Sequence, residues 1–179
     1  MALLTTFGHG RLDREALGAL VAEAGIEEVV DVRRFPGSRA NPAAARGAVP
    51  ALCEELGVAY RWDERLGGRR RLDAAQEAAS PDTWWQVAQF RAYAGWTRSD
   101  DFRAATDDLL VDVAARRTAI MCSEAVWWRC HRRIVADVVV LGRGLAVEHL
   151  MHDGRRVPHP VSAGARRQAD GDLVWDGPA

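Results

Sequence analysis

Five short apolar runs, each separated from the next by segments patterned as helix or turn, constrain this chain more than any other feature. They are Leu3–Phe7, Glu28–Val32, Val58–Trp62, Thr118–Cys122 and Leu145–Leu150. Each is too short for a stable helix and carries the β-branched and aromatic residues that suit a buried strand. Strands spaced by helices favour a parallel sheet, because parallel neighbours need a long crossover. The expectation is an α/β protein: a mainly parallel sheet flanked by helices, forming a single Rossmann-like domain over residues 1–162. Residues 163–179 read as a C-terminal tail with a short strand at 173–175.

The intervening segments carry their own punctuation. Asp13 caps a helix with Leu17, Leu20 and Val21 on one face, and Gly25 stops it. A helix near 47–56 ends at Gly57, and Ser99 opens another with Phe102, Leu109, Leu110 and Val113 at helical spacing. Ser80-Pro81-Asp82 reads as a third helix start, after a polar, Arg- and Gly-rich loop over 64–80. A last helix is expected over 130–141. With 179 residues, such a chain buries a core without staples, and its three cysteines are too few for a disulfide framework. No apolar stretch approaches the roughly 20 residues of a membrane span. The opening residues lack a basic leader and cleavage site. No membrane association and a cytoplasmic location are therefore expected.

All 24 basic residues are arginine, and the chain has no lysine. That excludes Schiff-base lysines, a pyridoxal-phosphate lysine and the lysine of a phosphate loop. Anions must be held by guanidinium forks or backbone amides. Also absent are G-x-S-x-G, H-E-x-x-H and G-x-G-x-x-G. No cofactor is assigned.

Ligands of open α/β sheets bind beyond the carboxyl ends of the strands. There the chain places His9, the cluster Arg33, Arg34 and Arg39, then Asp63 and Arg65, and Cys122 with Glu124. The densest element runs from Met121 to Arg133. A strand ends on Cys122, a loop carries Glu124, Trp127 and Trp128, and a helix is expected to open at Cys130-His131-Arg132. A helix N-terminus there would favour an anion seat with Arg129 and Arg132, and would lower the pKa of a nearby thiol. Cys122 has three readings: nucleophile or redox thiol, metal ligand, or small buried apolar residue. Cys130 and His131 are further soft donors, but they are adjacent and no C-x-x-C pair exists, so no metal site is assigned. His149, His152 and His159 look metal-like on paper, although scattered solvent-facing histidines are the commoner explanation. Leu66-Gly67-Gly68-Arg69-Arg70-Arg71 is a second arginine loop, whose glycines permit close backbone approach. Most of the seven tryptophans read as core, with Trp127 or Trp128 able to stack on a base.

These residues resemble the bacterial and archaeal domain-of-unknown-function family 488. The resemblance runs to about residue 162. It rests on Thr6-Phe7-Gly8-His9-Gly10, the run Asp31 to Arg39, Leu66-Gly67-Gly68-Arg69, Phe90-Arg91-Ala92-Tyr93-Ala94, Met121-Cys122-Ser123-Glu124, and Arg129 to Arg133. Gly10 stands where the family commonly has serine or threonine, and Ser123 where it often has alanine. The resemblance implies helices around a parallel sheet and no settled reaction.

The functional expectation is an enzyme acting on a phosphorylated, nucleotide or nucleic-acid substrate. His9, Arg33, Arg34, Arg39, Arg129 and Arg132 would hold the anion, and Cys122, Glu124 and His131 would supply nucleophile and acid/base. The alternatives are a non-catalytic anion- or nucleic-acid-binding module and a metal-dependent enzyme using Cys122, Cys130 and His131.

Overall fold

In the computed structural model, which describes residues 2–178, the five apolar runs are parallel strands of one sheet. They are β1 (Leu3–Gly8), β2 (Glu28–Asp31), β3 (Ala59–Trp62), β4 (Thr118–Cys122) and β5 (Ala146–Leu150). A short antiparallel strand, β6 (Arg156–Pro158), closes one edge, and the order is β3-β2-β4-β1-β5-β6. This differs from the 3-2-1-4-5-6 order of dinucleotide-binding sheets, because β4 lies between β2 and β1.

Both faces of the sheet are covered, which is why its strands are apolar runs rather than alternating ones. Alternate side chains still divide between two cores. Phe7, Val29, Ala119 and Met121 face α1 (Arg14–Glu23) and α2 (Ala48–Glu55), through Leu17, Val21, Val49 and Leu52. Leu4, Val30, Ile120 and Cys122 face the other layer. That layer is built from α4 (Ala88–Trp96), α5 (Asp100–Ala115) and α6 (Arg132–Asp137). Asp13 and Ser99 cap α1 and α5 as expected, accepting from Ala16 N and Phe102 N.

Two local expectations need correction. The 64–80 segment is not all loop: it holds a 3-10 turn at Glu64–Leu66 and a short α3 (Ala74–Ala78) with an Asp73/Gln76 capping box. Ser80-Pro81-Asp82 does not start a helix, since α4 begins only at Ala88. The helix expected from about 130 to 141 is present over nearly that span but changes its winding. A 3-10 turn at Trp127–Arg129 precedes α6, which starts at Arg132, and π-helical turns over Val138–Gly142 follow it.

Beyond β6, β7 (Ala165–Arg167) and β8 (Leu173–Trp175) form an antiparallel hairpin. The expected strand at 173–175 is present, and it packs inward: Leu173 and Trp175 join the α4/α5/α6 core. Among the described residues no helix is long and apolar enough to cross a membrane.

Candidate active site

The sheet register sets the carboxyl ends of three central strands side by side. Gly8 of β1 pairs with Cys122 of β4, and Asp31 of β2 with Met121. Pairing continues past the strands: Cys122 O accepts from His9 N at 2.9 Å, and Ser123 O accepts from Gly10 N at 3.0 Å. This close fit needs a glycine, since a Cβ on Gly8 would lie 1.8 Å from Glu124 O.

Above this edge opens a cavity of about 890 Å³. One wall is the segment after β2, with Arg33, Arg34 and Arg39. Gly68 and Arg69 form a second, Phe90 and Tyr93 of α4 a third, and Cys122 to Glu124 with Arg129 to His131 the rest. The two loops meet closely, because a Cβ on Gly67 would lie 2.8 Å from Arg34 Cα. Gly68 likewise admits the His131 ring, whose Nδ1 would lie 2.8 Å from a Cβ there. Tyr93 packs edge-on against His131 at 4.9 Å and donates its hydroxyl to Leu66 O at 2.6 Å.

Cys122, Cys130 and His131 converge on the inner end of this cavity, with their donor atoms all within 4.8 Å of one another. His131 Nδ1 is 3.5 Å from Cys130 Sγ and 3.9 Å from Cys122 Sγ. The two buried thiols do not share the proton load equally. Burial pushes Cys130 up, but a hydrogen bond from Cys122 and the positive charge of Arg132 outweigh it and bring Cys130 down to about 6. The same hydrogen bond, with burial, pushes Cys122 up to about 12. The opposite directions favour Cys130 over Cys122 as the thiolate of the coupled pair. The trio also offers two sulfurs and one imidazole nitrogen, the donor chemistry of a Cys₂His metal site with an open fourth position.

The arginines divide into two groups. Arg33 is buried and committed: its guanidinium makes a two-pronged contact with Asp31, Nε to Oδ1 at 2.9 Å and Nη2 to Oδ2 at 2.6 Å, and Nη1 donates to Ala44 O. Tyr60 adds its hydroxyl to Asp31 at 2.8 Å, so this pair shapes the wall. Arg34, Arg39, Arg69 and Arg129 line the cavity and, among the described residues, pair with no carboxylate. Among the described residues Glu124 is the one acid in the lining, and its Oε1 accepts from Val126 N.

His9 and Arg132 do not join Arg33 and Cys122 in lining the cavity, contrary to the sequence expectation. His9 is buried under the loop with Nδ1 on Gly10 O, and burial first lowers its pKa. Arg132 is only 1% exposed. It turns back into the sheet, donating from Nη1 to Thr6 Oγ1 and from Nη2 to Glu124 O. The anticipated helix does open within Cys130-His131-Arg132, with His131 as N-cap and Arg132 as its first residue, but Cys130 itself is extended and the Arg132 side chain turns away from the cavity. Trp127 is half-buried and stacks flat on His149 at 4.1 Å, so that face is already occupied. His149 and His159 are buried and hydrogen-bonded to each other, not solvent-facing as expected.

The fold and this edge define an α/β protein whose paired cysteines and histidine open onto an arginine-walled cavity. The model of the family described as domain of unknown function DUF488 matches residues 13–139, well over half of the chain, and the protein belongs to that family. No curated protein and no solved structure matches the chain.

Sequence reasoning gave Cys130 only a ligand's part and passed over Tyr93 and Arg69 as site residues. The adjacency of Cys130 to His131 was the available signal for the first. The Gly67-Gly68 pair was the signal for the third: two glycines mark where a loop must approach another backbone and a ring.

Proposed function

We propose that the protein is an enzyme that acts by cysteine nucleophilic catalysis on a phosphoryl-bearing, nucleotide-like substrate. The observation that carries this reading is the Cys122–Cys130–His131 cluster opening onto a cavity walled by unpaired arginines. Arg34, Arg39, Arg69 and Arg129 would receive the anionic group, by guanidinium forks since lysine is absent. Cys130 is assigned as nucleophile in place of Cys122, because it is the sulfur whose pKa is brought down, with His131 Nδ1 at 3.5 Å. Cys122 then serves as hydrogen-bond donor to that thiolate. His131, with Nδ1 in contact range of both sulfurs, is placed to accept or return a proton, and Glu124 at the rim is a second acid/base group.

Alkylation by iodoacetamide tests this. Cys130 should react with half-maximal rate near pH 6, phosphate should slow the reaction, and Cys130→Ser should abolish the fast phase. Cys122→Ala removes the donor and should move the profile toward that of an ordinary thiol. A pH profile indifferent to Cys122→Ala rejects the thiolate pair.

The three-donor cluster favours one second reading, a metal-dependent enzyme with Cys122, Cys130 and His131 as ligands. Near-stoichiometric zinc in the purified protein, with alkylation blocked until a chelator is added, would select it over the nucleophile.

A further inference from the structure

The arginine wall does not end at the mouth of the cavity. Past Phe35 the surface continues as a second concavity of about 940 Å³, walled by Arg34, Arg69, Arg70, Arg71 and Gln89. A third, of about 500 Å³, shares Arg34, Arg70 and Arg71 with the second. Arg34 borders all three, so they adjoin one another, and we treat them as one groove. Among the described residues no carboxylate lines the second or third concavity. In a chain of 24 arginines and 25 acids that segregation is a feature of the fold, not of composition. Arginines elsewhere, such as Arg61, Arg65 and Arg103, each hold a carboxylate, and Arg98, at the far side of the third concavity, is held by Asp82. Arg34, Arg69 and Arg71 hold none.

Two further observations single out this groove. Phe35 is 62% exposed at its centre, with the guanidinium groups of Arg34 and Arg69 at 5.8 and 6.0 Å from its ring. An exposed aromatic flanked by guanidinium groups offers a face on which an unpaired base stacks while its phosphates find charge. Arg69 has φ +58°, the one described non-glycine residue with positive φ. That costly conformation sits on the groove wall. Arg70 braces the same loop, lying over the Trp96 ring at 3.7 Å and donating to Gly67 O and Glu64 O.

We propose that this groove binds single-stranded nucleic acid, with phosphates along Arg34, Arg69 and Arg71 and a base against Phe35. A single strand is favoured over a duplex because only an unstacked base can use the phenyl face. An acidic peptide would leave that face unused, and Phe35 alone is too small an apolar area for a lipid surface. That one phosphoryl group of the strand enters the cysteine cavity rests on the function proposed above; binding along the groove does not.

Fluorescence anisotropy with a labelled DNA single strand of about ten nucleotides tests the proposal. Binding should be saturable, with a log–log salt slope near −2 for three phosphates. Phe35→Ala and Phe35→Leu should each weaken it about tenfold. Arg71→Ala, outside the cysteine cavity, should weaken it severalfold and make the slope shallower by about 0.7. The duplex of the same sequence should bind at least about tenfold more weakly, since its bases remain stacked. Equal affinity for duplex, displacement by polyglutamate at equal charge concentration, Phe35-dependent binding to anionic vesicles in place of the strand, or indifference to both Phe35 and Arg71 substitutions would each overturn it. Protection of Cys130 from alkylation by inorganic phosphate reads the cavity separately. Strand binding without protection leaves the groove standing and removes the cavity reading; protection without strand binding does the reverse.

Discussion

Arg132 shows how a residue's type can be legible while its direction is not. Its place after Cys130-His131 suggested a fork aimed at a ligand, yet the side chain runs the other way, to Thr6 Oγ1 and Glu124 O. The reason lies in Gly8 and Thr6: a glycine and a small hydroxyl on β1 leave room for the guanidinium, since a Cβ on Gly8 would lie 2.9 Å from Arg132 Nη2. From there it clamps the loop after β4 and favours the Cys130 thiolate from behind. Arg132→Lys keeps the charge and loses the fork. We expect it to destabilise the protein by about 2 kcal/mol in urea unfolding, the cost of broken charge-assisted hydrogen bonds at a buried site. Phosphate protection of Cys130 should change little, because the guanidinium lies outside the cavity. Unchanged stability with lost protection would return Arg132 to the anion site. The candidate site as a whole was half legible. Cys122, His131, Arg34, Arg39 and Arg129 follow strand ends and do reach the cavity, because strand ends are fixed by the sheet register. The commitment of Arg33 to Asp31 and the burial of His9 depend on tertiary partners that no local pattern announces.

At the scale of elements, the strands were the most readable and the turn chemistry the least. Strand limits fell within a residue of expectation, since the five apolar runs have nowhere to go but between two helical layers. Ser80-Pro81-Asp82 failed as a helix start because Asp82 is claimed from a distance. It is fully buried, takes two bonds from Arg98, Nη1 at 3.0 Å and Nη2 at 2.5 Å, and accepts from Trp175 N at 3.1 Å. A cap and this junction make the same demand on sequence, one short acid after a proline, so the pattern alone cannot separate them. The junction is what docks the β7–β8 hairpin against α4. Asp82→Ala leaves Arg98 half-enclosed without its partner and should cost about 3 kcal/mol. Tryptophan fluorescence should then report Trp175 becoming exposed in a first transition at lower urea than the sheet. A single unshifted transition would mean that apolar contacts of Leu173 and Trp175 hold the hairpin alone.

Across the whole molecule, one hydrogen-bonded chain ties that hairpin to the cysteine site. Trp175 Nε1 donates to Asp137 Oδ2 at 2.9 Å, and Asp137 Oδ1 is 2.8 Å from His159 Nε2. His159 Nδ1 is 2.9 Å from His149 Nε2, and His149 Nδ1 is 2.7 Å from Thr6 Oγ1, which accepts from Arg132. The two ends fix every proton between them. Asp137 accepts only, so His159 donates from Nε2 and accepts at Nδ1; His149 then donates from Nε2 and accepts at Nδ1 from the Thr6 hydroxyl. A charged His149 would sit buried between His159 and the Arg132-bound Thr6 hydroxyl, with no carboxylate as its own partner. Burial first, with the Arg132 charge adding to it, holds His149 down to about 3. A histidine whose folded pKa lies below its unfolded value binds its proton in the unfolded chain first. Its contribution is therefore fully present above about pH 6.5 and is lost as pH falls toward the folded value. His9, lowered chiefly by burial, adds loss of the same sign. Between pH 6 and pH 4 we expect His149 to remove about 1.4 kcal/mol of stability per pH unit. His149→Gln can keep the donor to His159 and the acceptor for Thr6 without titrating. Urea unfolding across this range should give a shallower pH slope for His149→Gln than for the native chain, even where its stability at pH 7 is lower. Parallel slopes for the two proteins would place the acid sensitivity elsewhere and leave the histidine chain a packing feature only.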